Sequence, residues 1–215
     1  MSAPLTLPAG MLCALEAAYA SPPRAYHHFG HVQEVLHRFA EVAAGPGWMQ
    51  PAEVYLAVLY HDAVYEAGRK DNEACSAELA MAEVARWLPE LAIDTLRVAE
   101  LIQLTARHGQ LLPEDFGDDG FALDVRHFLD SDMAILGADP EVFDVYDQGI
   151  AEEYRGHVPG FLFRLNRKRF LKGLLARERI FLSDFFHQRY DVAARGNLER
   201  MTANSQRVAI PDADT

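Results

Sequence analysis

Residues 51–62 read PAEVYLAVLYHD, and the reading of this stretch decides the fold. Pro51 suits the first turn of a helix, where its missing N–H would have no partner anyway. Val54 to Tyr60 continue as an apolar helical run, and His61-Asp62 ends it with no evident structural reason to be there. Carboxylates are disfavoured near a helix C-terminus, where unsatisfied carbonyls already concentrate negative charge. A metal cation bound at that point would reverse the penalty. The dipeptide alone carries little weight; its neighbours decide what it means.

Upstream, a helix is predicted from Pro8 to Ala20, broken by Ser21-Pro22-Pro23. A second runs from Phe29 to Ala44, with Val32, Val35, Leu36 and Phe39 as its apolar stripe. Gly45-Pro46-Gly47 stops it. Downstream, a loop containing Gly68 follows the His-Asp pair. Asp71 is positioned to cap a helix reaching Trp87, and Asp94 to cap one ending near His108-Gly109. Residues 110–120 form the longest surface loop. Helices follow over 121–136, 140–154, 159–177 and 183–204, with Asp139-Pro140 supplying a cap and then proline at the first helical position. No alternating pattern suggests a strand, and no segment repeats. The expectation is one all-α domain with a disordered tail at 207–215.

Composition sets the bounds. A chain of 215 residues, 50% of them apolar, can bury a full core as one domain. No apolar stretch of about 18 residues offers a membrane span. The N-terminus lacks the basic start and long apolar core of a secretion signal. Two cysteines, Cys13 and Cys75, have no metal-type spacing, so free thiols and a cytoplasmic location are expected. A net charge of −12 argues against a nucleic acid duplex as partner, whereas a small anionic substrate fits if a metal supplies local positive field.

Helix phase sorts the polar residues. Around Asp132 the apolar positions are Val125, Phe128, Leu129, Ile135 and Leu136, and Asp132 occupies the missing place in that stripe. It is expected to face the core, with Asp130 turned to the side of Arg126. A core-facing carboxylate without a partner would cost on the order of 2–7 kcal/mol even if neutral, so it needs a cation, a proton or a dense hydrogen-bond set. Val98, Leu101 and Ile102 extend into Thr105 and His108, which therefore also face inward. YHHFGH, residues 26–31, packs three histidines at a helix start, with His27 and His31 four apart. A polar helix start and a core histidine bonded to backbone explain either feature singly.

Together, His31, then His61-Asp62, then Asp132, each on a different helix, match the H…HD…D pattern. The chain resembles the HD-domain metal-dependent phosphohydrolases, and more narrowly the predicted HD-superfamily hydrolases of bacteria. The matching stretches are PPRAYHHFGH, LYHDAVYE, KDNEACSAELA, LIQLTARHG, FLDSDMAILG and AEEYRGHV, from about Pro22 to Val158, with a weaker echo at Arg195, Asn197 and Leu198. One departure is His28, where such proteins commonly carry Asn; two roles stay open for it, positioning the site or adding a ligand.

The resemblance implies a helical bundle of the HD-domain type over 1–206, with the site in about 22–158 and C-terminal helices over 159–206. One divalent metal would sit between His31, His61, Asp62 and Asp132. Imidazoles with carboxylates suit Mn, Fe, Co, Ni or Zn, and Mg less well. The implied activity is hydrolysis of a small phosphorylated metabolite or nucleotide by metal-activated water, with Asp62 doubling as the group that orients or deprotonates that water. Secondary candidates are His27, His28, Asn72, Glu73, Thr105 and His108, while Arg24, Lys70, Arg107, Arg164 and Arg167 are available for phosphate contact. Tyr26 and Tyr65 either line the pocket or are core aromatics. The expected partners are the substrate and, as oligomeric state, a homodimer, with no membrane. The alternative is a non-catalytic metal or nucleotide sensor of the same fold. A two-iron oxygenase is disfavoured, since His108 is the only further histidine between the HD pair and Asp132 that could serve.

Overall fold

In the computed structural model, which describes residues 3–204, the apolar run becomes helix α3 (Pro51–Tyr60). Val54 and every residue from Leu56 to Tyr60 are buried. A helix apolar on all sides must be enclosed by others. Four enclose this one: α2 (Phe29–Ala44), α4 (Asn72–Trp87), α5 (Thr95–Thr105) and α6 (Gly120–Met133) all contact it. α1 (Ala9–Ala20) lies against α2 and adds Met11, Leu15 and Tyr19 to the same core.

A second apolar cluster lies beyond α6. It is built from the short 3₁₀ turn Ala134–Gly137, α7 (Pro140–Glu153), α8 (Gly160–Leu175) and α9 (Asp184–Asn204), with Phe143, Phe181 and Phe186 fully buried. The protein is thus all-α, with nine α-helices and no strand among the described residues. The tail expected at 207–215 lies outside them. No described helix is long and apolar enough to cross a membrane, and Cys13 and Cys75 are free.

Helix starts and stops follow local chemistry with instructive exceptions. Asp94 caps α5 as expected, accepting from Arg97 N at 3.0 Å. Asp71 does not cap α4, because its carboxylate accepts from Arg69 Nε at 2.5 Å instead. Asp139 makes no cap bond either, although Pro140 does stand at the first helical position. α5 ends at Thr105 rather than near residue 108, through turns that lead to Gly109 at φ 71°.

The largest correction concerns Asp130. It is 2% exposed, and accepts from Leu182 N (2.8 Å), Ser183 N (2.7 Å) and Ser183 Oγ (2.7 Å). An apolar stripe marks a single buried face, but α6 lies between α2, α3 and α5 on one side and α9 on the other. Asp130 therefore faces the second core and pins the start of α9 to α6.

Candidate metal centre

His61 closes α3 as its C-cap, and the helix end lets its ring turn back on its own chain. Nδ1 lies 2.8 Å from the Val58 carbonyl, which makes Nδ1 an N–H donor to backbone and turns Nε2 into the site. His31, in the first turn of α2, is 3% exposed and sets its Nε2 3.0 Å from His61 Nε2. Asp132 Oδ1 lies 2.9 Å from His31 Nε2 and 3.6 Å from His61 Nε2. Asp62 Oδ2 lies 3.2 Å from His61 Nε2 and 3.6 Å from His31 Nε2. The four residues read from the sequence converge.

This donor set suits a cation. Atoms about 2.1 Å from one ion stand roughly 3.0 Å apart when adjacent in an octahedral shell and roughly 3.4 Å in a tetrahedral one. The separations above span that range. His31, His61 and Asp62 offer ligand atoms all within 4.8 Å of one another and could hold a metal ion, with Asp132 beside them. Two imidazoles with two carboxylates are a mixed N/O set of the kind borderline divalent ions prefer.

The charges are mutually set. Burial works against ionisation of both aspartates, but the histidines outweigh it. His61, His27 and His31 hold Asp62 below the usual carboxylate range, and His108, His31 and His61 do the same for Asp132. Burial pulls His61 down, yet Asp62 and Asp132 carry it well above an ordinary histidine. Both carboxylates are therefore ionised at neutral pH. That is the state a metal ligand requires.

His108 joins the cluster from beyond the end of α5, its Nδ1 3.2 Å from Asp132 Oδ2, and burial lowers its basicity. His27 lies just ahead of α2 rather than on it. Its ring stacks on Tyr65 at 4.1 Å between centroids, and its Nδ1 is 2.6 Å from Glu153 Oε2. A cavity of about 300 Å³ opens on the cluster, walled by His27, Tyr26, Tyr65, Glu73, Thr105 and Arg167 among others. Tyr26 and Tyr65 thus line the pocket.

Other candidates have structural duties. Arg24 donates to four carbonyls: Nη1 to His27 (3.0 Å) and Asp62 (2.5 Å), and Nη2 to Ala18 and Ala63 (both 3.0 Å). With its Nη donors turned to backbone, it braces the site rather than meeting substrate. His28 is exposed, and its Nδ1 accepts from Gly30 N at 2.9 Å, so it is the helix cap and not a ligand. Asn72 brackets Glu66, accepting from its N–H (3.0 Å) and donating to its carbonyl (2.9 Å), which ties down the loop after the His-Asp pair. Thr105 donates to Ile102 in its own helix at 2.7 Å. Lys70 and Arg107 are exposed and do not line the cavity, and Arg164 lines a neighbouring one.

Sequence reasoning missed Glu153 and Tyr19. Glu153 Oε1 accepts from Tyr26 N (2.8 Å) and His27 N (2.9 Å), and Tyr19 Oη donates to the Leu59 carbonyl at 3.0 Å while lying 3.3 Å from Asp62 N. Glu153 lies within the motif AEEYRGHV, which marks the region without giving it a role. Comparison with protein-family models, curated proteins and solved structures gives no match.

Proposed function

We propose that the protein is a metal-dependent phosphohydrolase of the HD-domain type, acting on a small phosphorylated metabolite or nucleotide. The observation that carries this reading is the convergence of two histidine nitrogens and two aspartate oxygens, at 2.9–3.6 Å, at a cavity large enough for a small ligand. His31, His61, Asp62 and Asp132 would hold one divalent ion, with Mn, Fe, Co, Ni or Zn favoured over Mg by the two imidazoles. When bound, such an ion lowers the pKa of water and polarises a phosphoryl oxygen.

The chain's own residues supply the rest. Asp62, its backbone N–H close to the Tyr19 hydroxyl, presents a carboxylate at the cavity wall, where it can orient an attacking water and take up its proton. His27, on the same wall and paired with Glu153, can deliver a proton to the departing oxygen. Tyr26, Tyr65, Tyr146, Tyr154 and Phe170 give the cavity a largely aromatic lining.

The test is metal content per chain followed by a phosphoester panel with Mn, Co, Ni and Mg assayed separately. Stoichiometric metal and release of phosphate are expected. Asp62→Asn should reduce turnover by at least about 10²-fold, typical of losing a positioned acid or base, with the melting temperature of the metal-free protein retained. A metal-loaded protein that hydrolyses nothing yet binds a nucleotide tightly would be a sensor instead.

A further inference from the structure

Two cavities share a wall near the candidate metal centre. The one carrying Asp62 and Asp132 measures about 300 Å³ and its neighbour about 470 Å³, and Tyr154 and Arg167 line both. The second draws more of its wall from α8 than from any other element, and α8, GFLFRLNRKRFLKGLL, carries Arg164, Arg167, Lys168, Arg169 and Lys172 and no acid. In a chain of net charge −12 that concentration is out of character.

The wall of the second cavity has four cations, Arg155, Arg164, Arg167 and Lys168, against one carboxylate, Asp147. Asp147 Oδ1 is taken by Arg167 Nε at 2.9 Å, and Arg155 pairs with Glu152 at 2.5 Å. Arg164 and Lys168 have no ion pair among the described residues. The Arg167 guanidinium is held in place by that carboxylate and by the rings of Tyr146 and Phe170, 5.0 and 5.7 Å from its central carbon. Its Nη2 is buried and has no hydrogen-bond partner. A tie between α7 and α8 explains the Nε bond. It leaves the Nη2 donor and the two unpaired cations beside it unexplained, and buried donors without acceptors are costly.

We propose that Arg164, Arg167 and Lys168 form an anion subsite for a second negatively charged group of the substrate, a phosphate or carboxylate remote from the scissile ester. The preferred substrates are then small phosphoesters with two anionic groups, one at the metal centre and one on α8. Arg167, in the wall common to both cavities, lies between the two. A planar guanidinium with fixed orientation and two flexible cations around it is the arrangement that binds phosphate or carboxylate by charge-assisted hydrogen bonds. The anion site needs no turnover. Only the word substrate rests on the phosphohydrolase reading.

Two arms separate the ideas. In the first, inorganic phosphate is titrated calorimetrically into the full chain in the presence of chelator, so that the metal centre cannot contribute. Arg164→Gln/Lys168→Gln should weaken binding at least about tenfold, the loss of one or two charge-assisted contacts, with unchanged melting temperature. Arg167→Lys, which keeps the charge but not the fork, should also weaken it. Absent phosphate binding, or binding indifferent to the double variant, overturns the subsite whatever the enzyme does. In the second arm the metal-loaded protein is given fructose 6-phosphate and fructose 1,6-bisphosphate. The bisphosphate should show the higher kcat/KM, and the double variant should erase that preference while leaving the monoester rate intact. Equal use of both by the native chain overturns the doubly anionic substrate. If no ester of the phosphoester panel turns over but phosphate binding follows Arg164 and Lys168, the subsite stands and the phosphohydrolase reading falls.

Discussion

Asp130 and Asp132 are two residues apart on one helix and have opposite employment. Asp132 faces two imidazoles and a third from His108; Asp130 accepts three hydrogen bonds from the start of α9. Burial pushes the Asp130 carboxyl up to about 7, even though Ser183 and the backbone amides favour its charged form. Asp132→Ala should therefore abolish stoichiometric metal binding and leave the metal-free melting temperature nearly unchanged. Asp130→Ala should do the reverse. Orphaning three buried donors costs about 3 kcal/mol, or roughly 6–12 °C for a chain of this size, while the folded fraction still binds metal. Thermal melts and metal analysis on the two variants check both halves, and equal loss of metal from each would sink the assignment. Asp132 is legible in the sequence because it fills a gap in an apolar stripe. Asp130 is hidden there because a second buried face of the same helix leaves no periodic mark until its partner is known.

At the scale of elements, the site is assembled from ends. His61 caps α3, His31 lies in the first turn of α2, and His108 follows the end of α5. Helix stops are legible from Pro and Gly punctuation, which is why the bounds of α2 and α3 can be read closely. The exceptions, Asp71 and Asp139, are carboxylates that precede a helix without capping it, and for the first the cause is Arg69, which competes successfully for its oxygens. Glu153 is invisible in the sequence because its partners are backbone amides 126 and 127 positions away. It holds the segment leading into α2 from the end of α7, and His27 with the two amides keeps its carboxyl down at about 2 against the effect of burial. Glu153→Ala should lose about 2–3 kcal/mol, seen as a fall of roughly 4–12 °C in melting temperature, and should lower turnover by loosening His27. An unchanged melt would show that the 26–28 turn stands without it.

For the whole molecule, the all-α class and the succession of helices are readable from periodicity and breakers, whereas the division into two cores is not, since it depends on which faces meet. His127 marks the seam. It is 4% exposed, with Trp48, Phe185 and Phe186 around its ring. Burial and then the Arg126 charge push it down to about 4 from an ordinary 6.5. Between those values the unfolded chain binds a proton that the folded chain refuses, so stability falls as pH drops from about 6.5 to about 4. The full effect is about 3 kcal/mol, since each tenfold difference in proton affinity between the two states is worth roughly 1.4 kcal/mol. Urea unfolding of native protein and His127→Phe at pH 7 and pH 5 isolates it: the native chain should lose more stability over that interval than the variant. Parallel losses would remove His127 as the cause.

Arg24 has a consequence for how any catalogue of substitutions would look. One guanidinium joins the end of α1, the turn before α2 and the turn after α3 through four carbonyls, including those of His27 and Asp62. The approach of the segment before the histidine at residue 31 to the pair at residues 61 and 62 is thus braced, alongside the direct packing of α2 on α3, by a side chain that touches neither imidazole. Lysine has the charge but gathers its donors on a single atom, so it cannot span the same carbonyls. In a saturation-mutagenesis map scored by activity, position 24 would stand beside the ligands as intolerant of every replacement, and a reader of the map alone would mistake a brace for a reactant.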